Sequence, residues 1–213
     1  MPQTVWIARH GNRLDFVNPE WFNTAARRYD PPLSEDGFVQ AAELGQRLKY
    51  VKIDEIFSSP FLRTIQTANE VAQVLQLPIK LEAGLSEWHN QAWMSESPEI
   101  QTQDFLAREY PLIDWGYQSC QYPQYPESAA EVDQRVAATV QHLTAKFVTN
   151  ILIVGHGASV FGATKGLIPD TPEFKVPLCC LTKAVRTPEG SWELELCADT
   201  SHLSQTESKV RLN

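Results

Sequence analysis

Two histidines in the sequence each follow a short apolar run and directly precede a glycine. His10 comes after residues 4–8 and one arginine, and His156 comes after residues 151–154 and one glycine. Apolar runs of this length that stop at turn-type residues are typical of buried strands in a parallel sheet. Parallel strands bring their carboxyl ends to one edge of the sheet, where the ligands of α/β proteins bind. We therefore expect His10 and His156 to meet in one site.

Three arginines and one glutamate are expected to reach the same edge. Arg9 and Arg13 belong to the loop of the first histidine. Arg63 stands just after the second predicted strand, and Glu87 follows the third. This convergence is far more specific than any single pair of residues. A local arginine cluster can dominate its own pocket, because salt screens charges beyond roughly 8 Å. The set is therefore compatible with a small anionic substrate.

Alternating strand and helix patterns must position these side chains. Strands are predicted at residues 4–8, 54–58, 79–81 and 151–154, and helices at residues 34 to about 49, 61–75, 98–108, 128–147 and 158–167. Two further strands, residues 181–186 and 192–198, resemble a hairpin. This order predicts an α/β fold with a mostly parallel sheet, one antiparallel edge and helices on both faces.

The region of residues 83–126 departs from this order. It mixes aromatic residues with prolines and has little regular period, and its aromatic content argues against disorder. We interpret it as an inserted irregular and helical subdomain, an excursion over the active site within a single domain of residues 1–213. Its aromatic side chains could line a substrate pocket or belong to the core.

The composition narrows the classes of partner. The chain has 18 basic and 26 acidic side chains and a net charge of -8, which argues against nucleic acid or an anionic membrane as the main partner. No stretch approaches the roughly 18 apolar residues of a membrane span. Four cysteines without a C-x-x-C pair favour reduced thiols, so the expected localisation is cytoplasmic.

Five segments, in order within residues 5–160, carry a resemblance to a known family. They are Arg9-His10-Gly11; Leu33-Ser34 with Gly37, Gln40 and Ala41; Ser58-Ser59 with Arg63, Gln66 and Ala68; Leu85-Ser86-Glu87; and Val154-Gly155-His156-Gly157. In this order they resemble the histidine phosphatase superfamily, also called the phosphoglycerate mutase-like fold. The pattern Arg-His-Gly-x-Arg-x-Asp that starts at Arg9 is similar to the phosphatase branch that includes Sts-type phosphatase domains.

The resemblance implies a metal-independent phosphomonoester hydrolase that acts through a phosphohistidine intermediate and has no cofactor. His10 would be the nucleophile, His156 would donate to a phosphoryl oxygen, and Glu87 would serve as general acid and base. Planar guanidinium forks match phosphate oxygens, and phosphoryl transfer depends mainly on positioning and charge stabilisation. The substrate-binding residues would be Arg9, Arg13 and Arg63.

Some assignments stay open at this stage. Two other carboxylates, those of Glu82 and Asp36, compete for the role of the acid. Arg13 could pair with Asp15 or Glu20. A zinc site built from the two histidines and the glutamate is disfavoured, because the arginines would repel a cation.

Two other functions compete with hydrolysis: a phosphoglycerate-type phosphomutase and a non-catalytic domain that binds phospholigands. The mutase pattern has a longer insertion with an adjacent arginine pair. Here residues 83–126 contain only Arg108, and the pair Arg27-Arg28 stands elsewhere. The sequence therefore favours hydrolysis over the other two functions. The substrate could be a small-molecule or a protein phosphomonoester, and the sequence does not indicate an oligomeric state.

Overall fold

The apolar runs of the sequence form the centre of one six-stranded sheet in the computed structural model, which describes residues 2–18 and 20–205. The strands are β1 (Thr4–Arg9), β2 (Glu55–Ser58), β3 (Ile79–Leu81), β4 (Ile151–Gly155), β5 (Leu181–Arg186) and β6 (Trp192–Asp199). Their order across the sheet is β3-β2-β4-β1-β5-β6. The first four strands are parallel, β5 is antiparallel to β1, and β6 is antiparallel to β5. The predicted parallel sheet with one antiparallel edge is confirmed.

Seven α-helices occur in the described residues: α1 (Leu14–Val17), α2 (Trp21–Thr24), α3 (Glu35–Leu48), α4 (Leu62–Leu75), α5 (Gln103–Glu109), α6 (Ala129–Lys146) and α7 (Gly157–Leu167). A short 3₁₀ helix also spans Ala83–Leu85. Ser34 caps α3, and Ser128 with Glu131 forms the capping box of α6. Helix α5 begins later than predicted, because the Thr102 side chain accepts the Phe105 N–H and fixes the start at Gln103. Within the part of the chain that is described, no helix combines the length and apolar character needed to cross a membrane.

Helices cover both faces of the sheet because the central strands are apolar on both sides. Val5 and Ile7 of β1 belong to the core cluster that contains α6 and α7. Trp6 and Ala8, which alternate with them, belong to the cluster that contains α3 and α4. This alternation is the expected consequence of a strand whose successive side chains point to opposite faces. The predicted coverage of both faces is confirmed.

The sheet register places four loops at one edge. Arg9 pairs with Gly155 in the ladder between β1 and β4. Beyond the strand, the His10 N–H donates to the Gly155 carbonyl at 3.0 Å, and the Ser59 N–H donates to the Val154 carbonyl at 3.0 Å. Backbone pairing therefore continues past the strand ends. It fixes where the loops after β1, β2 and β4 begin relative to one another along the strand direction.

A close backbone approach seats the first histidine loop on α3. A Cβ at Gly37 would lie 2.1 Å from the Asn12 carbonyl oxygen, and one at Gly11 would lie 2.5 Å from the Gly37 carbonyl oxygen. Only glycine fits either position. Asp36 belongs to the same contact, since its two carboxylate oxygens accept from the Asn12 amide and the Ser34 hydroxyl. Asp36 is therefore a structural residue of this junction.

The segment of residues 86–128 contains one helix, α5, and is otherwise irregular. The fully buried carboxylate of Glu82 fastens it to the sheet by accepting the Tyr117 hydroxyl at 2.6 Å and the Cys120 N–H at 2.9 Å. These donors occupy the carboxylate of Glu82. Glu82 is therefore a structural residue of this segment and does not line the cleft that contains Glu87.

Candidate active site

His10 lies at the end of β1 with its ring completely buried. Its Nδ1 is 2.7 Å from the Gly11 carbonyl oxygen. A carbonyl oxygen only accepts hydrogen bonds, so Nδ1 carries the ring proton and the lone pair of the neutral ring is on Nε2. Within the described residues, Nε2 has no hydrogen-bond partner. The backbone of the next residue thus orients this ring and leaves Nε2 as the nitrogen that carries the lone pair.

The surroundings of His10 keep its ring neutral. Burial lowers the pKa of His10 well below its usual value, and the charges of Arg63 and Arg9 and the ring of His156 lower it further. The hydrogen bond to Gly11 acts in the opposite direction and does not outweigh them. A neutral imidazole retains the lone pair that a nucleophile needs.

Arg63 contacts both Glu87 and His156. It projects from the first turn of α4 and is 1% exposed. Its NH2 lies 3.3 Å from Glu87 Oε2 and 3.2 Å from His156 Nδ1, and these last two atoms are 3.3 Å apart. Burial lowers the pKa of Arg63 to about 10, with a further contribution from Arg13. The guanidinium therefore stays charged at neutral pH and forms one corner of a tight triangle.

His156 is held by a hydroxyl group on its far side. Its Nε2 lies 2.8 Å from the Ser59 hydroxyl, which accepts the Phe61 N–H at 3.4 Å. The hydroxyl can donate its own proton to Nε2, and the ring proton is then on Nδ1, facing Glu87. Burial lowers the pKa of His156 to about 4, and Arg63 supports that direction against the opposing charge of Glu87. The ring is therefore neutral, and its Nδ1 is directed at Arg63 and Glu87.

Glu87 is the carboxylate of this centre. Its Oε1 accepts the Trp88 N–H at 3.0 Å, which orients Oε2 toward Arg63 and His156. Burial alone would raise the pKa of Glu87, but His156, Arg63 and Arg13 outweigh that effect and hold the pKa well below its usual range. Glu87 is therefore ionised in the ligand-free protein.

The other two arginines line the same cleft. Arg9 donates through NH1 to the Val176 carbonyl at 2.6 Å. Arg13 donates from Nε and NH2 to the two carboxylate oxygens of Asp15, at 2.9 and 2.5 Å. Its guanidinium carbon also lies 4.4 Å from the centre of the Phe16 ring. Pairing with Asp15 does not remove Arg13 from the site, because the paired side chain faces the cleft.

Four of the six predicted site residues, Arg9, Arg13, Arg63 and Glu87, line a cleft of about 840 Å³. His10 and His156 are buried beside this lining, with ring nitrogens within 4.8 Å of the Glu87 carboxylate. The wall of the cleft is largely apolar and aromatic. The apolar residues that line it are Phe16, Phe22, Trp88, Trp93, Met94, Val132, Ala158 and Phe161. The aromatic residues of 83–126 are divided between two roles, since Trp88 and Trp93 line the cleft whereas Tyr117 packs against the core. Both alternatives raised by the sequence therefore occur.

The positive charge of Arg63 favours the binding of an anion over that of a cation beside Glu87 and His156. The donor atoms of His10, Glu87 and His156 lie within 4.8 Å of one another, a spacing that could suit a metal ion. The Arg63 guanidinium, however, is already in contact with two of the three. A cation at this point would meet a buried positive charge, whereas phosphate oxygens would be stabilised by it.

Three residues support the site, and of these the sequence pointed only to Asp15. Ser59 holds His156, Asp15 holds Arg13, and Ser159 accepts the His156 N–H at 3.1 Å while donating to the Leu85 carbonyl at 2.8 Å. Each of these residues lies within or next to a recognised motif, which was the available signal. Ser59 lies 97 positions from His156, and Ser159 lies 74 positions from Leu85, so the sequence alone did not reveal these two contacts. The pairing of Arg13 with Asp15 is one of the two alternatives that the sequence left open.

The sequence of this chain matches a model of a known protein family. The family model described as histidine phosphatase superfamily (branch 1) matches residues 5–200. The chain belongs to the histidine phosphatase superfamily. All six predicted site residues fall within the matched region.

Relatives in this superfamily include phosphatases and mutase-like proteins. The chain is 28% identical to the ecdysteroid-phosphate phosphatase of Drosophila melanogaster, over 89% of this chain and 31% of that protein. It therefore spans about a third of that relative's length. It is 27% identical to a probable phosphoglycerate mutase, GpmB, of Erwinia tasmaniensis, over 95% of each chain. The solved structure of an ecdysone phosphate phosphatase from Bombix mori, in complex with tungstate, shares the fold with a TM-score of 0.79 and 23% identity, covering 99% of this chain and 98% of that chain.

The two buried histidines should resist protonation. Because the pKa of each is lowered from the usual value of 6.5, both rings stay neutral as the pH falls through that value. Titration of the ring signals by NMR from about pH 7.5 to 5.5 should show no midpoint for His10 or His156. A midpoint near 6.5 for either ring would contradict the electrostatic description of the site.

Proposed function

We propose that this protein hydrolyses phosphomonoesters without a metal ion, through a phosphohistidine formed on His10. The observation that carries the proposal is the state of that ring. It is buried and neutral, its Nδ1 is bound to the Gly11 carbonyl, and its Nε2 carries a lone pair among Arg9, Arg63 and His156. This arrangement suits attack on a phosphorus atom whose oxygens are bound by guanidinium groups.

In the first step, Nε2 of His10 forms a bond to phosphorus while the ester P–O bond breaks. The leaving oxygen takes a proton from Glu87. Glu87 is ionised before substrate arrives, but a phosphate dianion places negative charge beside it and competes for Arg63. Both effects raise the pKa of Glu87, so proton uptake accompanies substrate binding.

In the second step, water attacks the phosphorus of the phosphohistidine. The Glu87 carboxylate takes a proton from that water, the N–P bond breaks, and inorganic phosphate leaves with His10 neutral again. His156 donates from Nδ1 to a phosphoryl oxygen during both steps, which stabilises the charge that develops there.

A mutase is the second candidate, because the GpmB relative covers nearly the whole chain. The arginines that could serve a second phosphate lie elsewhere. Arg108 is exposed and paired with Glu109, and Arg27 donates to the Ile100 carbonyl at 2.9 Å. Neither lines the cleft. The site therefore supports hydrolysis better than transfer between two positions of a phosphoglycerate.

The same proposal extends to the domain organisation, the substrate class and the location of the protein. We infer that one catalytic domain contains the site and that residues 83–126 form an excursion over it, which supplies Trp88, Trp93 and Met94 to the cleft wall. The substrate would be a small-molecule or protein phosphomonoester. The four cysteines are free thiols, which supports a cytoplasmic location.

Turnover of p-nitrophenyl phosphate in EDTA tests the proposal. The wild type should hydrolyse it and should yield a phosphoenzyme when quenched in alkali. His10→Asn should lower kcat by a factor on the order of 10³ or more and abolish the phosphoenzyme, because no nucleophile remains. His142→Asn, a substitution of an exposed histidine on α6, is the matched control and should retain both the activity and the phosphoenzyme.

Activity that depends on a metal ion, or that survives in His10→Asn, contradicts the mechanism. Interconversion of phosphoglycerates by the wild type would identify a mutase.

Dependence on the leaving group tests the role of Glu87. Glu87→Gln should lower kcat/KM for an alkyl phosphate by about 10² or more, since an alkoxide needs a proton to leave. The same variant should lose less than about tenfold with p-nitrophenyl phosphate, whose leaving group is stable as an anion. Glu99→Gln, an exposed glutamate in the same region of the chain, is the control. Equal losses for both substrates would show that Glu87 is not the acid.

A further inference from the structure

Arg135, on the second turn of α6, is a buried residue outside the cleft whose donors are directed at the loop that carries Glu87. Its NH1 donates to the carbonyls of Gly84 and Ser86 at 2.8 and 3.2 Å, and its NH2 donates to the carbonyl of Glu87 at 3.2 Å. Its Nε and NH2 also donate to the two carboxylate oxygens of Glu127, at 2.6 and 2.8 Å. These five contacts match the five N–H donors of a guanidinium group.

Glu127 holds the other side of the same loop. Its carbonyl accepts the Trp88 indole N–H at 2.8 Å, and its own N–H donates to the His89 carbonyl at 2.9 Å. One of its carboxylate oxygens accepts the His89 N–H at 3.3 Å. The pair Arg135–Glu127 therefore binds the loop on both sides of Glu87.

The charges of this pair cancel locally. The two side chains are 5% and 3% exposed and their closest atoms are 2.6 Å apart, so each is neutralised by the other. Its effect on the Glu87 carboxylate is therefore mainly geometric. Geometry is important here, because a displacement of about 1 Å in a catalytic group can cost 10²-fold in rate.

We propose that Arg135 is a positioning residue for Glu87, and that it acts by fixing the backbone from which the acid projects. Arg135 does not touch the cleft, and it acts through the proposed acid, so this inference rests on the proposed function. Without the guanidinium, the carbonyls of Gly84, Ser86 and Glu87 lose a shared donor. The Glu87 side chain would then no longer be held 3.3 Å from both Arg63 and His156.

The choice of variants follows from the buried charge. Arg135→Met alone would leave Glu127 as an unpaired buried carboxylate, which is strongly destabilising. Arg135→Lys keeps the positive charge but has fewer donors and no planar fork, so it can pair with Glu127 without holding all three carbonyls. The double variant Arg135→Met with Glu127→Met removes both charges together and leaves no unpaired ion. Leu143→Ala, two turns further along α6 in the core, is the control for loss of packing alone.

The measurement is kcat/KM for p-nitrophenyl phosphate and for an alkyl phosphate. Both the lysine variant and the double variant should lose about tenfold or more with the alkyl phosphate and less than about threefold with p-nitrophenyl phosphate, because proton donation to the leaving group is weakened. This is the direction expected for Glu87→Gln. Leu143→Ala should lower the stability and leave the ratio of the two substrates unchanged.

The outcomes separate this inference from the function on which it rests. If the wild type forms a phosphohistidine and Glu87→Gln changes the substrate ratio, but the folded Arg135 variants keep the wild-type ratio or lose both activities equally, the positioning role is wrong and the function stands. If the wild type forms no phosphohistidine with either substrate, both proposals fail.

Discussion

Arg63 must keep a positive charge in a place that water does not reach, and the arrangement of the site depends on that constraint. A buried ion costs several kcal/mol unless it is paired. In the ligand-free protein the Glu87 carboxylate, 3.3 Å away, supplies the pairing. A phosphate dianion would take over that role, and the carboxyl group could then accept a proton. In the proposed mechanism, one guanidinium would position Glu87 before the substrate binds and would stabilise the phosphoryl group afterwards.

The fold serves this centre by bringing four strand ends to one edge. The strands themselves contribute no catalytic group from their interiors, because both of their faces are covered by helices. The candidate groups lie at or beyond the strand ends, and neighbouring residues of the same loop or of another loop hold three of them. Ser59 holds His156, Asp15 holds Arg13, and the Gly11 carbonyl fixes the ring of His10. The reactive orientation of each side chain is therefore set before any ligand arrives.

Most of the sheet and the grouping of the six candidate residues at one edge could be predicted from the sequence, because both depend on local patterns. Apolar runs that end in histidine and glycine indicate strands and their exits without reference to the rest of the chain. What could not be predicted depends on contacts between distant residues. Arg135 lies 48 positions from Glu87, and no local pattern relates the two. The tautomer of His10 likewise depends on the direction of one carbonyl, which sequence alone does not determine.

In the proposed mechanism, the Gly11 carbonyl leaves Nε2 of His10 as the attacking atom. The most direct test is the position of phosphorus in the trapped phosphoenzyme, read by ³¹P NMR and by fragmentation in a mass spectrometer after an alkaline quench. The structure predicts a single phosphohistidine at residue 10, with phosphorus on Nε2. Phosphorus on Nδ1 of that ring, or on any other residue, would contradict this account.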